Sequence, residues 1–404
     1  MNAALLSVLL LALASGCAPG TTVEALASPA GEGSGEPYLS SAGDGVVMSW
    51  LQRGDAGGHD LWTARLTATG WTSPRRVAHR DDFFVNWADF PSVVWGGDGA
   101  LWAHWLERRP APGLAYDIRV VRSLDDGLTW SPPWTPHEDG TATEHGFVTL
   151  FPTGDGVGMT WLDGRKYAHG VDGAPPTREM TLRSRRAPGE GEPGPELLVD
   201  DRTCDCCQTD VAVTSEGPVV VYRNRTEEEV RDIFVARWTG DAWSEGTPVH
   251  DDGWVIGGCP VNGPAVDARG MDVAVAWFTG ADDVPKVMVA FSRDGGATFG
   301  PPVRVDGGDP AGRVDLRLLA EGAAAVAWLE RVGGDRAELR VTRVGADGST
   351  GRAAVVAESS AARASGFPRM AALPWAPGQV MLAWTDVSEI DRSRIAVARV
   401  EVGS

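Results

Sequence analysis

The chain has 404 residues with 51 Gly, 27 Pro, 17 Trp and 43% hydrophobic residues, a composition suited to many short strands joined by tight turns rather than to long amphipathic helices. Its 55 acidic and 36 basic side chains leave a net charge of −19, which repels phosphate backbones and anionic membranes and excludes nucleic acid as a partner. The length fits one regular all-β domain as well as it fits two or three smaller ones.

At the N-terminus, residues 1–16 carry an apolar core from Ala3 to Ala14 followed by small residues, the pattern of an export signal. The run is too short to span a membrane. Ala14-Ser15-Gly16-Cys17 resembles a bacterial lipoprotein box, which implies that Cys17 becomes the lipidated first residue and that residues 17–35 form a flexible tether. The expectation is an exported monomer in the bacterial cell envelope that touches the membrane only through its lipid.

Residues 36–404 read as one domain built from an internal repeat. A strand ending in an aromatic residue occurs seven times, at Trp50, Trp105, Trp161, Tyr222, Trp277, Trp328 and Trp384. Successive copies lie 51 to 61 residues apart, the length of a four-stranded blade with its loops. A short strand precedes each copy, as at Pro37-Tyr38-Leu39, Val211-Ala212-Val213 and Val314-Asp315-Leu316, and another follows, as at Asp117 to Ser123. This predicts an all-β chain folded as a β-propeller of seven four-stranded blades, with six blades plus an appended hairpin as the alternative. No fourth strand follows the last copy, and residues 22–27 are the segment available to close that blade.

Two turns, Ser123-Leu124-Asp125-Asp126-Gly127-Leu128-Thr129-Trp130 and Ser292-Arg293-Asp294-Gly295-Gly296-Ala297-Thr298-Phe299, fit the Asp-box pattern Ser-x-Asp-x-Gly-x-Thr-aromatic. On these residues the chain resembles the sialidase-like, or BNR-repeat, β-propellers, a family that is typically six-bladed. What the resemblance implies for an active member is an arginine triad gripping a carboxylate, a Tyr nucleophile paired with Glu, and an Asp acid/base. Clustered guanidinium groups suit that task because each binds a carboxylate through two parallel hydrogen bonds. Arg165, Arg223, Arg313 and Arg363 are the candidates. The chain departs from the family at the catalytic set: it lacks an Arg-Ile-Pro motif at the first strand, and no Tyr follows position 222. Tyr222 itself occupies the slot of a packing Trp.

In a propeller, the loops entering the first strands and those joining second to third strands open on one face. The unusual residues of this chain belong to those loops. Asp89, Glu144, His145 and Asp163 are the candidates for acid/base chemistry, since paired carboxylates beside a pocket suffice for glycosidic cleavage. Arg231 and Asn262 join the four arginines as candidate ligand-binding residues. Four of the five cysteines, Cys204, Cys206, Cys207 and Cys259, precede adjacent blades. Outside the cytoplasm they read as disulfides, one of them joining the cluster to Cys259. The competing readings are a thiolate site for Cu or Zn, with His145 as a nitrogen donor, and a redox-active pair. Functionally the chain reads as an envelope-anchored propeller binding a polar or anionic ligand, such as a glycan or small molecule, at this face. The alternatives are a divergent sialidase-type glycoside hydrolase and a cysteine-based metal-binding or redox protein.

Overall fold

The computed structural model describes residues 20–111, 113–168, 177–389 and 392–403. The segment expected to be an export signal, with Cys17, lies outside them. Seven antiparallel sheets follow one another along the chain. Blade 1 covers residues 34–80, blade 2 92–123, blade 3 145–203, blade 4 210–248, blade 5 265–304, blade 6 310–360 and blade 7 369–401. The seven-bladed propeller is therefore the fold, and six blades with a hairpin is not. Blade 7 takes its outermost strand from the other end of the chain: Thr22–Leu26 pairs with Arg392–Glu401, Thr22 opposite Glu401 and Leu26 opposite Val397. This pairing ties the first blade to the last and closes the ring. In blade 2 the outermost position is reduced to the bridge between Val120 and Trp134, because Pro132, Pro133 and Pro136 offer no N–H for a longer ladder.

The repeated aromatic explains how blades stack. Trp50, Trp105, Trp161, Tyr222, Trp277 and Trp328 are all at most 3% exposed, and the hydrophobic clusters they join each combine side chains of neighbouring blades. Trp277 packs with Val219 and Val235 of blade 4, and Trp328 with Val287 and Val289 of blade 5. The core is thus a ring of inter-blade seams rather than one central mass.

Nearer the axis, polar side chains fasten the inner strands. In blades 4, 5 and 6 the device is the same. Asp210 accepts the N–H of its own neighbour Val211 and that of Val266 in blade 5, both at 2.9 Å. Asp267 does likewise with Ala268 (3.0 Å) and with Leu318 of blade 6 (2.8 Å). Asp315 holds Leu316 and, at 2.7 Å, Met370 of blade 7. Hydroxyls and a fourth Asp serve the remaining seams. Ser40 donates to the Val93 carbonyl, Asp89 accepts from Phe147 N–H, Thr149 donates to the Thr209 carbonyl, and Thr385 accepts from Glu36 N–H. Arg317 lies among Asp315, Asp267 and Asp210, and those charges outweigh the cost of its burial to raise its pKa.

The two Ser-x-Asp-x-Gly-x-Thr turns fold alike on the opposite face. In each, the Asp accepts from the Thr N–H (2.8 and 2.9 Å) and from the Thr hydroxyl (2.6 Å in both), while the Ser hydroxyl accepts the Gly N–H. Those bonds, the Thr hydroxyl first, hold Asp125 and Asp294 down at about 2. Gly127 and Gly296 have φ of 86° and 81°, open to glycine at no cost. The turns brace hairpins and carry no catalytic geometry.

The aspartate clasps make a stability prediction. Asp315→Ala leaves the buried N–H of Met370 without an acceptor, at a cost of about 1–3 kcal/mol. Urea unfolding should show a lower midpoint for Asp315→Ala, with Asp315→Asn between it and the native protein. An unchanged midpoint would remove the clasps as contributors to ring closure.

Candidate functional site

Three of the loops that enter inner strands share a backbone device. Glu36, Phe147 and Arg313 stand in the left-handed region at φ of 53°, 52° and 55°, and at each the strand register slips before regular pairing begins. Val261, just ahead of blade 5, has φ of 52°. Left-handed geometry in bulky non-glycine residues is strained and persists where the surroundings hold it. These residues ring the channel mouth on what is here called the top face. Below the mouth the channel narrows to a cavity of ≈ 20 Å³ lined in part by Tyr38, Asp210 and Arg369, while Gln208 reaches across to the Ala88 carbonyl at 2.7 Å. A ligand on this face therefore meets the entry loops and not an open pore.

His145 and Asp163 face each other across the first two strands of blade 3 and are both 0% exposed. His145 Nε2 lies 3.0 Å from Asp139 Oδ1 and 3.7 Å from Asp163 Oδ2, and its ring stacks on His137 at 3.7 Å. Burial opposes a charge on His145, but the bond to Asp139 and the charges of Asp163, Asp139 and Asp117 outweigh it and raise the pKa. Arg165 grips both Asp163 oxygens at 2.7 Å and reaches Glu196 at 2.7 Å, where Arg183 also binds. Trp161 Nε1 donates to Asp163 as well, at 2.9 Å. His145, Asp139 and Asp163 each bring a donor atom within 4.8 Å of the others, a spacing that could hold a metal ion. Arg165 and His145, whose pKa is raised, already neutralise those carboxylates, so the donor set fits a buried ion network better than a cation cage. The network brings three predicted site residues together, with His145 and Asp163 sealed from solvent and Arg165 partly exposed.

Asp89 and Glu144 belong to a different line of groups, one that reaches the surface. Asp89, 2% exposed, accepts Phe147 N–H at 2.6 Å on Oδ1 and the Tyr116 hydroxyl at 3.1 Å on Oδ2. Burial pushes it up to about 7. Glu144, whose backbone bridges to that of Tyr116, is half-buried and likewise pushed up to about 7, by burial first and then by the charge of Asp205. Burial first, then the charges of Asp89 and Glu144, raise the Tyr116 phenol. Two carboxyls thus act on one phenol, Asp89 buried and Glu144 at the top face. Gly146 makes the approach possible, since a Cβ there would collide with Asp89 Oδ2 and the Tyr116 ring. Outside Glu144 sit Tyr167, Asp205 and Arg225. Burial first, then the charges of Asp205 and Glu144, raise the Tyr167 phenol.

Sequence reasoning missed Tyr116 and Tyr167. Tyr167 lies two residues after Asp163-Gly164-Arg165, and Tyr116 opens the third strand of blade 2, positions that place a phenol at the end of a strand on the top face. That was the available signal.

The arginines divide. Arg223, 1% exposed, directs its guanidinium at backbone carbonyls: Asn262 at 3.0 and 2.8 Å, Arg231 at 2.6 Å and Phe278 at 2.7 Å. It also lies over Trp254 at 4.9 Å. Arg313 bonds Ser365 and the carbonyls of Gly366, Ala361 and Ala362, over Trp87 at 4.8 Å. Burial lowers both, to about 9 and about 10. Asn262 accepts Arg313 N–H and donates to the Pro260 and Ala311 carbonyls. Arg231, 3% exposed, pairs with Glu229 and Asp205. Arg363 is exposed at the rim, 6.0 Å from the Trp87 ring. These residues hold entry loops in place, and they form no triad of free guanidinium groups.

Two disulfides, Cys204–Cys207 and Cys206–Cys259, pin the same loops. The second crosses from the entry of blade 4 to that of blade 5. Pairing of all four sulfurs leaves no thiolate for Cu or Zn in this state, since the ligand form is the deprotonated thiol. Peptide mapping without reductant should return these two pairs, with no thiol titratable in folded protein before reduction. Free thiols at any of the four positions, with bound Zn or Cu by elemental analysis, would reinstate the metal reading.

No family model and no curated protein matches the chain. Solved structures do. The BP39L lectin from Burkholderia pseudomallei is 13% identical with a TM-score of 0.59, over 91% of this chain and 97% of that one. The polysaccharide lyase Uly1 is 10% identical with a TM-score of 0.53, over 90% and 89%. A protein of unknown function from Dyadobacter fermentans is 14% identical with a TM-score of 0.51, over 95% and 100%. At such identities the likeness is one of fold: this chain has the propeller shared by a lectin and a polysaccharide lyase.

Proposed function

We propose that the protein binds a polar glycan at its top face, with Glu144, Tyr167 and Asp205 as the contact set. The observation that carries this reading is Glu144: alone among the four acid/base candidates it is not buried, and it stands between a buried phenol–carboxyl pair and a second phenol. Carboxylates accept sugar hydroxyls in charge-assisted bonds, and a tyrosine ring offers an apolar face with a polar tip. The commitment of Arg223 and Arg313 to backbone carbonyls favours a polar ligand over an anionic one. The lectin and lyase among the fold neighbours support the glycan class at the level of architecture only.

A second reading follows from the same group. A carboxyl held at about 7 is suited to giving or taking a proton at neutral pH, so Glu144 is the residue to carry glycosidic bond cleavage if the site is catalytic. The chain is further proposed to be exported, anchored in the bacterial envelope through Cys17, and monomeric.

On a glycan array followed by calorimetry, Glu144→Gln should weaken binding of the selected oligosaccharide about 10- to 100-fold, the worth of a hydrogen bond to a charged group; equal affinity would remove Glu144 from the site. Because the ionised carboxylate is the better acceptor and its pKa is about 7, native binding should weaken as pH falls from 8 to 6, whereas Glu144→Gln should be flat. Reporter-glycoside release that vanishes in Glu144→Gln would establish the catalytic reading, and absence of turnover across the panel would leave binding alone. Cys17→Ser should move the protein from the membrane to the soluble fraction; retention in the membrane would contradict the lipid anchor.

A further inference from the structure

A second concave site lies on the face away from the mouth, between blades 3 and 4. It encloses ≈ 770 Å³, within the ordinary range for small-molecule pockets. Its origin is local. Where blades 2 and 5 close the hairpin between third and fourth strands with a compact Ser-x-Asp-x-Gly-x-Thr turn, blade 3 opens it into a loop between Met180–Pro188 and Leu197–Thr203. Blade 4 shortens it to Trp238-Thr239-Gly240-Asp241-Ala242-Trp243, with Trp238 and Trp243 bridged. A broad loop beside a short hairpin leaves a trough.

The trough is walled by two tryptophans outside the repeated seam positions, Trp243 resting on the edge of the blade 3–4 core. The tryptophans of the second strands are buried in the inter-blade seams, whereas Trp238 and Trp243 are half-buried and line the cavity. They meet edge to face, with centroids 5.6 Å apart and planes at 75°. Trp243 Nε1 donates to Ser184 at 2.6 Å, so that indole is fixed in orientation and its N–H is already engaged. Val213, 43% exposed, adds an apolar patch. At the rim, Arg186 and Asp155 form a solvent-exposed pair at 3.4 Å, 52% and 65% exposed, and Asp241 is exposed beside them. An exposed pair of that kind contributes little to stability and is free to turn toward a ligand.

From this we infer that the blade 3–4 trough is a second carbohydrate site, taking a short neutral oligosaccharide whose pyranose ring stacks on the Trp238–Trp243 pair. A sugar ring has an apolar C–H face for the indoles and equatorial hydroxyls for rim donors and acceptors of both signs. An ionic ligand would find one rim charge opposed. The volume holds two or three linked rings. This inference does not rest on the top-face reading, because the two sites share no residue.

The test uses the full folded domain carrying Glu144→Gln, so that the top-face contribution is reduced about 10- to 100-fold. Maltotriose, cellotriose and chitotriose are titrated calorimetrically against this protein and against the same protein with Trp238→Ala or Val213→Glu added. The expected result is saturable binding of at least one trisaccharide, weakened tenfold or more by either change. Val213→Glu alters an exposed side chain, so it decides the matter even if Trp238→Ala does not fold. Absence of binding to all three sugars, or binding that Val213→Glu leaves unchanged, would overturn the proposal.

Discussion

Asp89 is where the fold and the site meet. One of its oxygens takes the N–H of Phe147 and so fastens blade 2 to blade 3; the other takes the hydroxyl of Tyr116, a phenol that also feels the charge of Glu144 at the top face. Burial of this carboxyl, 2% exposed, pushes it up to about 7, and it is kept in place because both oxygens are occupied. Because they are, the seam closes, and in closing it brings a phenol and a second carboxyl into line. The chemistry proposed for Glu144 is thus a consequence of how two blades are joined, and it would not survive a looser seam.

The rest of the ring obeys the same constraint. A propeller blade has an unpaired inner edge, and the backbone N–H groups facing the axis need partners that the neighbouring blade must supply. Asp210, Asp267 and Asp315 supply them in three consecutive seams with one geometry, and Ser40, Thr149 and Thr385 in others. Arg223 and Arg313 extend the principle to the entry loops, where carbonyls turned toward the mouth would otherwise be buried without donors. With those loops held by guanidinium groups and two disulfides, the top face is a rigid surface. The opposite face is set by hairpin length instead, which is why blades 3 and 4 can differ there from blades 2 and 5 without disturbing the ring.

Much of this was legible in the chain itself. The seven aromatic-ended strands carry their own period, because each aromatic fills the same seam in each blade, and the two Asp-containing turns mark equivalent hairpins by residue type alone. The side on which Glu144, His145, Asp163 and the cysteines would emerge followed from strand order. What stayed hidden depends on partners that no local pattern announces. Arg223 and Arg313 look like ligand-binding residues until the carbonyls they face are known. His145 and Asp163 look like a catalytic pair until Asp139, Arg165 and Trp161 are seen to enclose them. Tyr116 and Tyr167 attract no notice because their neighbours in space, Asp89 and Asp205, lie 27 and 38 residues away. The position of Cys259 ahead of the adjacent blade pointed to a link with the cluster, but the choice of Cys206 over Cys204 or Cys207 is set by loop geometry.

The account stands on Glu144 holding its proton near neutrality while open to a ligand. Its carboxyl carbon can be followed by NMR from pH 4 to 9 in carbon-13-labelled protein, assigned by comparison with Glu144→Gln. The account predicts a midpoint near 7 that falls when a bound oligosaccharide donates hydroxyls to the carboxylate. A midpoint close to 4.5, the ordinary value for Glu, would contradict it.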